Sequence, residues 1–215
     1  AQYVDFGRVT IDTGAAWTLG GTNTELAGGT VIIAGALTIG GSLINAGSVA
    51  GDVTLAAGGY LDNALGGIIA GNGAAAVTST GAASVTNSGL IDAATLGIDL
   101  TGGGLVTNGV HGTITGTSDG VRIAGAAGTV SNAGSIGGGS YAVLLGSGFA
   151  NRVVVTAGAV FTGTVSGGNI VTPGAAVVST LELASAQSGG TLHGLGVQFV
   201  DFGGITIDAG AAWTL

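Results

Sequence analysis

The chain has no cysteine and no lysine, and its only permanent cations are Arg8, Arg122 and Arg152. The absence of cysteine excludes disulfides and thiolate metal sites. Three arginines in a chain of net charge −8 cannot neutralise a run of phosphates, which argues against nucleic acid and against contact of this segment with an anionic membrane. Gly, Thr, Ser and Asn interrupt every apolar stretch, so no transmembrane helix is predicted.

What the chain has in excess is glycine, at 47 of 215 residues, while only 7% of its residues are charged. Such a composition is compatible with disorder, but 55 residues are Val, Ile or Leu, which is enough to form a core. Glycine inside a helix costs about 1 kcal/mol per position, and no window carries a sustained 3.6-residue apolar stripe. The composition therefore predicts an all-β chain with a thin core of small branched side chains.

One stretch occurs twice. Residues 2–19 read QYVDFGRVTIDTGAAWTL, residues 198–215 read QFVDFGGITIDAGAAWTL, and 14 of the 18 positions are identical at an offset of 196. The four changes are Tyr3 to Phe199, Arg8 to Gly204, Val9 to Ile205 and Thr13 to Ala209. Such a match is typical of a tandem array. We expect residues 1–215 to be a single solenoid segment, with 2–197 as one long repeat and 198–215 as the start of the next.

Short β-branched runs bounded by Gly or Asn, such as RVTI, TVII, ALTI and TLEL, read as strands. They divide the chain into about ten units of 18–25 residues. A period near 20 with three short strands per unit is typical of a parallel β-solenoid, in which each unit is one coil. Because parallel crossovers are overwhelmingly right-handed, a right-handed parallel β-helix is predicted. A left-handed hexapeptide solenoid is the alternative for the coils whose length is a multiple of six.

A row of asparagines tracks the coil length. Five units carry an Asn at spacings of 18, 24, 21 and 24 residues: Asn45, Asn63, Asn87, Asn108 and Asn132. We expect these amides to stack at one corner and to hydrogen-bond along the axis. A Gly follows each Asn within one to three residues, and we expect it to supply the positive φ of a sharp corner. Ordinary turn chemistry without stacking is the alternative.

Candidate chemistry is sparse. The stretch 107–123, TNGVHGTITGTSDGVRI, places His111, Asp119 and Arg122 close in sequence, a faint likeness to polysaccharide-cleaving β-helices. His193 has no Cys or His partner for a metal role. The eleven acidic residues are scattered and read as a solvated outer face: Asp5, Asp12, Glu25, Asp52, Asp62, Asp92, Asp99, Asp119, Glu182, Asp201 and Asp208.

Trp17 and Trp213 each sit in GAAWTL, where they either stack on a sugar or fill a corner of the coil. No residue is predicted to be catalytic, to bind a cofactor or to bind a metal. The chain is predicted not to be an enzyme and to need no cofactor.

The chain resembles a known family over nearly its whole length. NRVVVTAGAVFTGTVSGG at 151–168 and STLELASAQSGGTLHGLGVQFVDFGGITIDAGAAWTL at 179–215 resemble the passenger-domain repeats of bacterial autotransporter adhesins, as do VTNSGLI and VSNAGSI. The resemblance implies a right-handed β-helix, export across a Gram-negative outer membrane, and a place at the cell surface, either anchored to the outer membrane or secreted. It implies no shared catalytic residues.

These observations converge on a functional hypothesis. We expect a structural module of a long bacterial surface fibre or adhesin stalk, active in cell adhesion and biofilm formation. Its partners would be neighbouring repeats or chains stacked end to end, and a host or cell-surface glycan. The alternative is a carbohydrate-binding or polysaccharide-cleaving β-helix.

Overall fold

The computed structural model describes residues 7–171, 174, 176–186 and 188–215. Within these residues the secondary structure consists of strands and turns, with no helix and therefore none long and apolar enough to cross a membrane. The strands are β1 (Arg8–Ile11), β2 (Ala16–Leu19), β3 (Thr22–Glu25), β4 (Thr30–Ile33), β5 (Ala36–Ile39), β6 (Ser42–Asn45), β7 (Ser48–Ala50), β8 (Val53–Leu55), β9 (Tyr60–Asn63), β10 (Ile68–Gly71), β11 (Ala75–Ser79), β12 (Ala83–Asn87), β13 (Leu90–Ala93), β14 (Leu96–Leu100), β15 (Gly104–Asn108), β16 (Thr113–Gly116), β17 (Asp119–Ile123), β18 (Gly128–Asn132), β19 (Ser135–Leu145), β20 (Arg152–Val155), β21 (Val160–Ser166), β22 (Thr180–Leu183), β23 (Gly190–Thr191), β24 (Phe199–Val200), β25 (Gly204–Ile207) and β26 (Trp213–Thr214).

Every third strand pairs in parallel, which gives the solenoid three faces. The first face contains β1, β4, β7, β10, β13, β16 and the first parts of β19 and β21. The second face contains β2, β5, β8, β11, β14, β17, the second parts of β19 and β21, and β24. The third face contains β3, β6, β9, β12, β15, β18, β20, β22 and β25. The predicted parallel β-solenoid is confirmed. Its third face has nine strands, so the solenoid has about nine turns, whereas the sequence predicted about ten coils.

Columns of small apolar side chains fill the lumen. On the first face Val49, Ile69, Ile91, Ile114 and Ile136 stack in register, and each is fully buried. The same alternation of buried and outward residues recurs on the third face. On the second face the middle strands are more fully buried, and all five residues of β14 are buried. Because each coil contributes one or two such residues per face, and burial of an aliphatic side chain contributes about 1.5–3 kcal/mol, stability grows with the number of coils.

The ladder changes near the duplicated stretch. In the turn formed by β22 to β25, the third-face strand β25 pairs with β22 and the second-face strand β24 pairs with β21. The intervening strand β23 does not pair with β21. It pairs instead with β26 in a separate two-stranded sheet. The first face is thus interrupted after β21, and a cleft opens there.

Candidate functional site: the axial contacts and ends of the solenoid

The predicted asparagine row is confirmed as a continuous chain of amide hydrogen bonds. Asn45 donates through Nδ2 to Asn63 Oδ1 at 2.7 Å, Asn63 to Asn87 at 2.8 Å, Asn87 to Asn108 at 2.9 Å and Asn108 to Asn132 at 2.8 Å. All five residues are buried. Each amide also donates to a backbone carbonyl where the next face begins, for example Asn87 to Thr113. The row therefore satisfies polar groups inside a corner and couples each coil to the next.

The glycines beside the row are needed for a reason other than the predicted one. Of the glycines that follow each Asn most closely, only Gly66 has a positive φ. Gly47, Gly89 and Gly134 have ordinary backbone angles, but a Cβ on any of them would collide with carbonyl oxygens of the neighbouring coil. The expected role in supplying positive φ is wrong at these corners. The glycines permit close axial approach of the backbones, because no side chain fits between stacked corners.

Glu25 occupies the position before the row. It pairs in register with Asn45, so it stands where a further asparagine would stand. Its side chain is buried, and its Oε1 has no hydrogen-bond partner among the residues that the structure describes. Burial raises the pKa of the Glu25 carboxyl above its ordinary value. Sequence reasoning placed this residue on a solvated outer face, which is wrong, because its register with the asparagines was not recognised.

We expect Glu25→Gln to stabilise the first coil at neutral pH by about 1 kcal/mol, the lower end of the cost of an unsatisfied buried polar group. Because the folded-state pKa is raised, the folded chain binds the proton more tightly than the unfolded chain. The unfolding free energy is therefore highest below the ordinary carboxyl pKa, falls as pH rises through the folded pKa, and is constant above it. The Glu25→Gln substitution removes this slope, because the amide does not titrate. Hydrogen exchange of residues 22–25 at pH 4 and pH 7 measures it.

Asp62→Asn is the matched control, because Asp62 points outward on the same third face, in register with Ile44 and Thr86. It should leave the protection of residues 22–25 unchanged at both pH values. A pH slope that survives Glu25→Gln would contradict the assignment.

The enzyme-like stretch does not form one surface site. Asp119 and Asp99 are buried on second-face strands, so their predicted place on a solvated outer face is wrong. His111 is exposed in the corner between the third and first faces, whereas Asp119 begins a strand of the second face. Arg122 forms a two-point ion pair with Asp99 of the neighbouring coil, Nε to Oδ1 at 2.9 Å and Nη2 to Oδ2 at 2.6 Å. That hydrogen bond raises the pKa of the Arg122 guanidinium. Arg122 is thus engaged in an axial contact between coils.

The two tryptophans lie at opposite ends of the solenoid, so they do not form one sugar platform. Trp17 on β2 is 50% exposed. Trp213 on β26 is half-buried, packs against the core, and donates from Nε1 to the Ala184 carbonyl at 3.0 Å. The same GAAWTL motif thus has two environments, because Trp17 pairs with the coil that follows it and Trp213 with a coil that precedes it.

Among the residues that the structure describes, the first coil has an open end. A cavity of about 300 Å³ there is lined by Arg8, Val9, Ile11, Trp17 and Leu19, together with core residues of the next coils. Its walls are the inner sides of strands that elsewhere would be covered by a preceding coil. At the other end Ile205 and Ile207 continue buried columns of the third face, yet each is 47% exposed.

A second cavity of about 250 Å³ occupies the interruption of the first face. Phe161, Phe199, Trp213, His193 and Gln198 are among its lining residues. Gln198 donates to the Phe161 and Gly163 carbonyls at 2.9 and 3.1 Å, and so bonds to β21 carbonyls where no strand pairs. Sequence reasoning missed this cleft, since no residue pattern marks a missing strand pair. In the described part of the chain, no group of three His, Asp or Glu residues could hold a metal ion.

No family model, curated protein or solved structure matches this chain. The parallel β-solenoid is consistent with β-helical repeat proteins in general. What the geometry supplies is axial contact: an amide row, ion pairs between coils, and apolar ends.

Proposed function

We propose that this chain is a non-catalytic structural module of a long bacterial cell-surface fibre or adhesin stalk. The observation that carries the proposal is that the duplicated stretch lies in the ladder at both ends: β1 and β2 begin columns, and β25 and β26 extend pairing at the other end. A chain whose ends repeat each other, and whose coils pair only with neighbouring coils, can be lengthened without a new core. The autotransporter-like repeats favour an extracellular place on a Gram-negative surface.

The mechanism of this module is mechanical. Each coil covers the apolar end of the one before it, and the exposed inner residues Ile205 and Ile207 favour stacking with another copy. The buried asparagine row resists sliding between coils, because a shift of register would leave several amides without partners. A rod of this kind would hold a ligand-binding region, such as one for a host glycan, away from the cell.

We expect the purified chain to associate into thin rods as its concentration rises. The double variant Ile205→Lys with Ile207→Lys places two cations on the apolar end and should shorten the rods, because those side chains would be covered in a stack. Sedimentation velocity and electron microscopy measure the association.

Val110→Lys is the matched control, since Val110 is exposed in a corner along the side. Equal loss of association in both variants would contradict end-to-end stacking. Immunogold labelling of intact cells of the producing organism tests the surface location, and label confined to lysed cells would overturn it.

A further inference from the structure

The duplicated stretch does not return to the same face of the solenoid. β1 is a first-face strand, but β25, its equivalent 196 positions later, is the last strand of the third face. Likewise β2 lies on the second face, whereas its equivalent β26 pairs with β23, which follows a third-face strand as first-face strands do. Eight complete turns and two faces of a ninth separate β1 from β25.

We infer that a tandem array of this repeat is a screw, in which each repeat continues the rod after eight and two-thirds turns, so that its three faces are set back by one position. The inference rests on the proposed role as a rod module. The occupant of the open first coil is then the preceding repeat, whose β22 stacks on β1 and whose β23 stacks on β2. The array would return to the same side after three repeats.

The chain contains a template for this contact. Within the described residues, Leu181 pairs with Ile205 and Leu183 with Ile207, which are the equivalents of Val9 and Ile11. In the array, Val9 and Ile11 therefore stack on Leu181 and Leu183 of the preceding repeat. Those leucines are fully buried under β25 here, so the same packing would cover the apolar cavity at the open end.

Trp17 fits the same arrangement. Its equivalent Trp213 stands beside Gly190 and donates to the Ala184 carbonyl. A Cβ on Gly190 would collide with the Trp213 ring, so this glycine makes room for the indole. The half-exposed Trp17 would occupy the same place against Gly190 and Ala184 of the preceding repeat, and would lose its exposure there.

Charge also favours this register. Arg152 forms an ion pair with Glu182 of the next coil, with Nε to Oε2 at 2.7 Å. Arg8, the equivalent of Gly204, would join the column of Arg152 and Thr180 on the other side of Glu182. Glu182 would then lie between two arginines, which places one of the chain's three permanent cations against an acidic partner.

The screw has a consequence for display. With strands about 4.8 Å apart, each repeat lengthens the rod by about 42 Å, and a side feature recurs on the same side only after about 125 Å. Features such as the exposed corner at His111, or the cleft lined by Trp213 and His193, would therefore point in three directions in turn. A stalk built this way has no single adhesive side.

Engineered cysteine pairs test the inference, since the chain contains no thiol of its own. Thr180→Cys with Gly204→Cys joins Cα partners on the third face, and oxidation or a short thiol cross-linker should consume both thiols. Val160→Cys with Gly204→Cys places the same residue against the first face and should retain both. Glu182→Cys with Thr206→Cys is a second third-face pair in case the first variant does not fold.

A chain that carries the 196-residue repeat twice tests the array itself, with Thr180→Cys in the first copy and Arg8→Cys in the second. Loss of both thiols there supports the screw. Cross-linking of the Val160 pair, or retention of the thiols in the two-repeat chain, would overturn it. If rods are still seen by microscopy in that case, the rod function stands and only the one-third turn fails.

Discussion

Replacing Asn87 with alanine lowers the free energy of unfolding by about 3 kcal/mol, because buried partners are left unsatisfied on both sides. Asn87 accepts from Asn63, donates to Asn108 and to the Thr113 carbonyl, and accepts from the Gly89 amide. It is fully buried at the middle of the row. Urea unfolding followed by circular dichroism measures the loss, and hydrogen exchange locates it in the coils on either side.

Asn72→Ala is the matched control for this substitution. Asn72 is exposed, and it bonds to Asp52 through its backbone amide, which alanine keeps. We expect a change within about 0.5 kcal/mol, as for most surface substitutions. If the two alanine variants lose equal stability, the amide row does not hold the coils together.

Asn87→Asp distinguishes the contribution of the side-chain acceptor from that of the donor, because it keeps the oxygen and removes the NH₂ group. It keeps an oxygen for the Asn63 amide but faces Asn108 Oδ1 with a second acceptor. Protonation restores a donor, so the folded state favours the neutral acid. The stability of this variant should therefore rise as pH falls, the reverse of an ordinary ion-paired aspartate.

The second large effect is expected for Gly89→Ala, with a loss of about 3 kcal/mol or partial unfolding of the corner, the usual range for overpacking a close site. A Cβ at Gly89 would collide with the carbonyl oxygen of Gly67 and approach that of Ala64 at 2.7 Å. Both obstacles are backbone atoms, which cannot rotate away as a side chain can. Stacked coils would have to separate at this corner, and thermal unfolding measures the result.

Gly20→Ala is the control for backbone freedom alone. No atom lies within 4 Å of the position of its Cβ, and its φ is ordinary. We expect no loss, or a small gain, because alanine restricts the unfolded chain. A loss at Gly20 equal to that at Gly89 would show that glycine flexibility, and not axial approach, is what the corners require.

The asparagine row shows how far periodicity predicts structure. Spacings of 18 to 24 residues match the length of one coil, and residues that recur once per coil stack at the same corner. Both the coil and the amide contacts could therefore be predicted. The glycines beside the row were predicted at the right places for the wrong reason. Gly89 cannot be distinguished in sequence from a glycine with a positive φ, because its close contact is with a neighbouring coil and not with residues next to it in the chain.

Glu25 and Trp17 mark where the prediction failed or stayed open. Glu25 is not an asparagine, and only the pairing of β3 with β6, which aligns it with Asn45, places it in the row. Trp17 and Trp213 lie in identical hexapeptides, so no sequence argument could separate their environments, which depend on whether the neighbouring coil precedes or follows them. His111 lies in a corner, whereas Asp119 and Arg122 share strand β17, and this separation likewise follows from the path of the coil.

Sequence periodicity was sufficient to predict the all-β solenoid, the stacked amides and the duplication, because each depends on residues that recur at a regular spacing. Only the tertiary structure shows which face of the solenoid the second copy of the duplicated stretch occupies. Coils differ in length, and corners absorb or add residues without changing the strands, so the number of faces between two copies cannot be read from their separation of 196 positions. The hydrogen-bonded pairing of the strands assigns each strand to a face, and it places β25 one face away from β1.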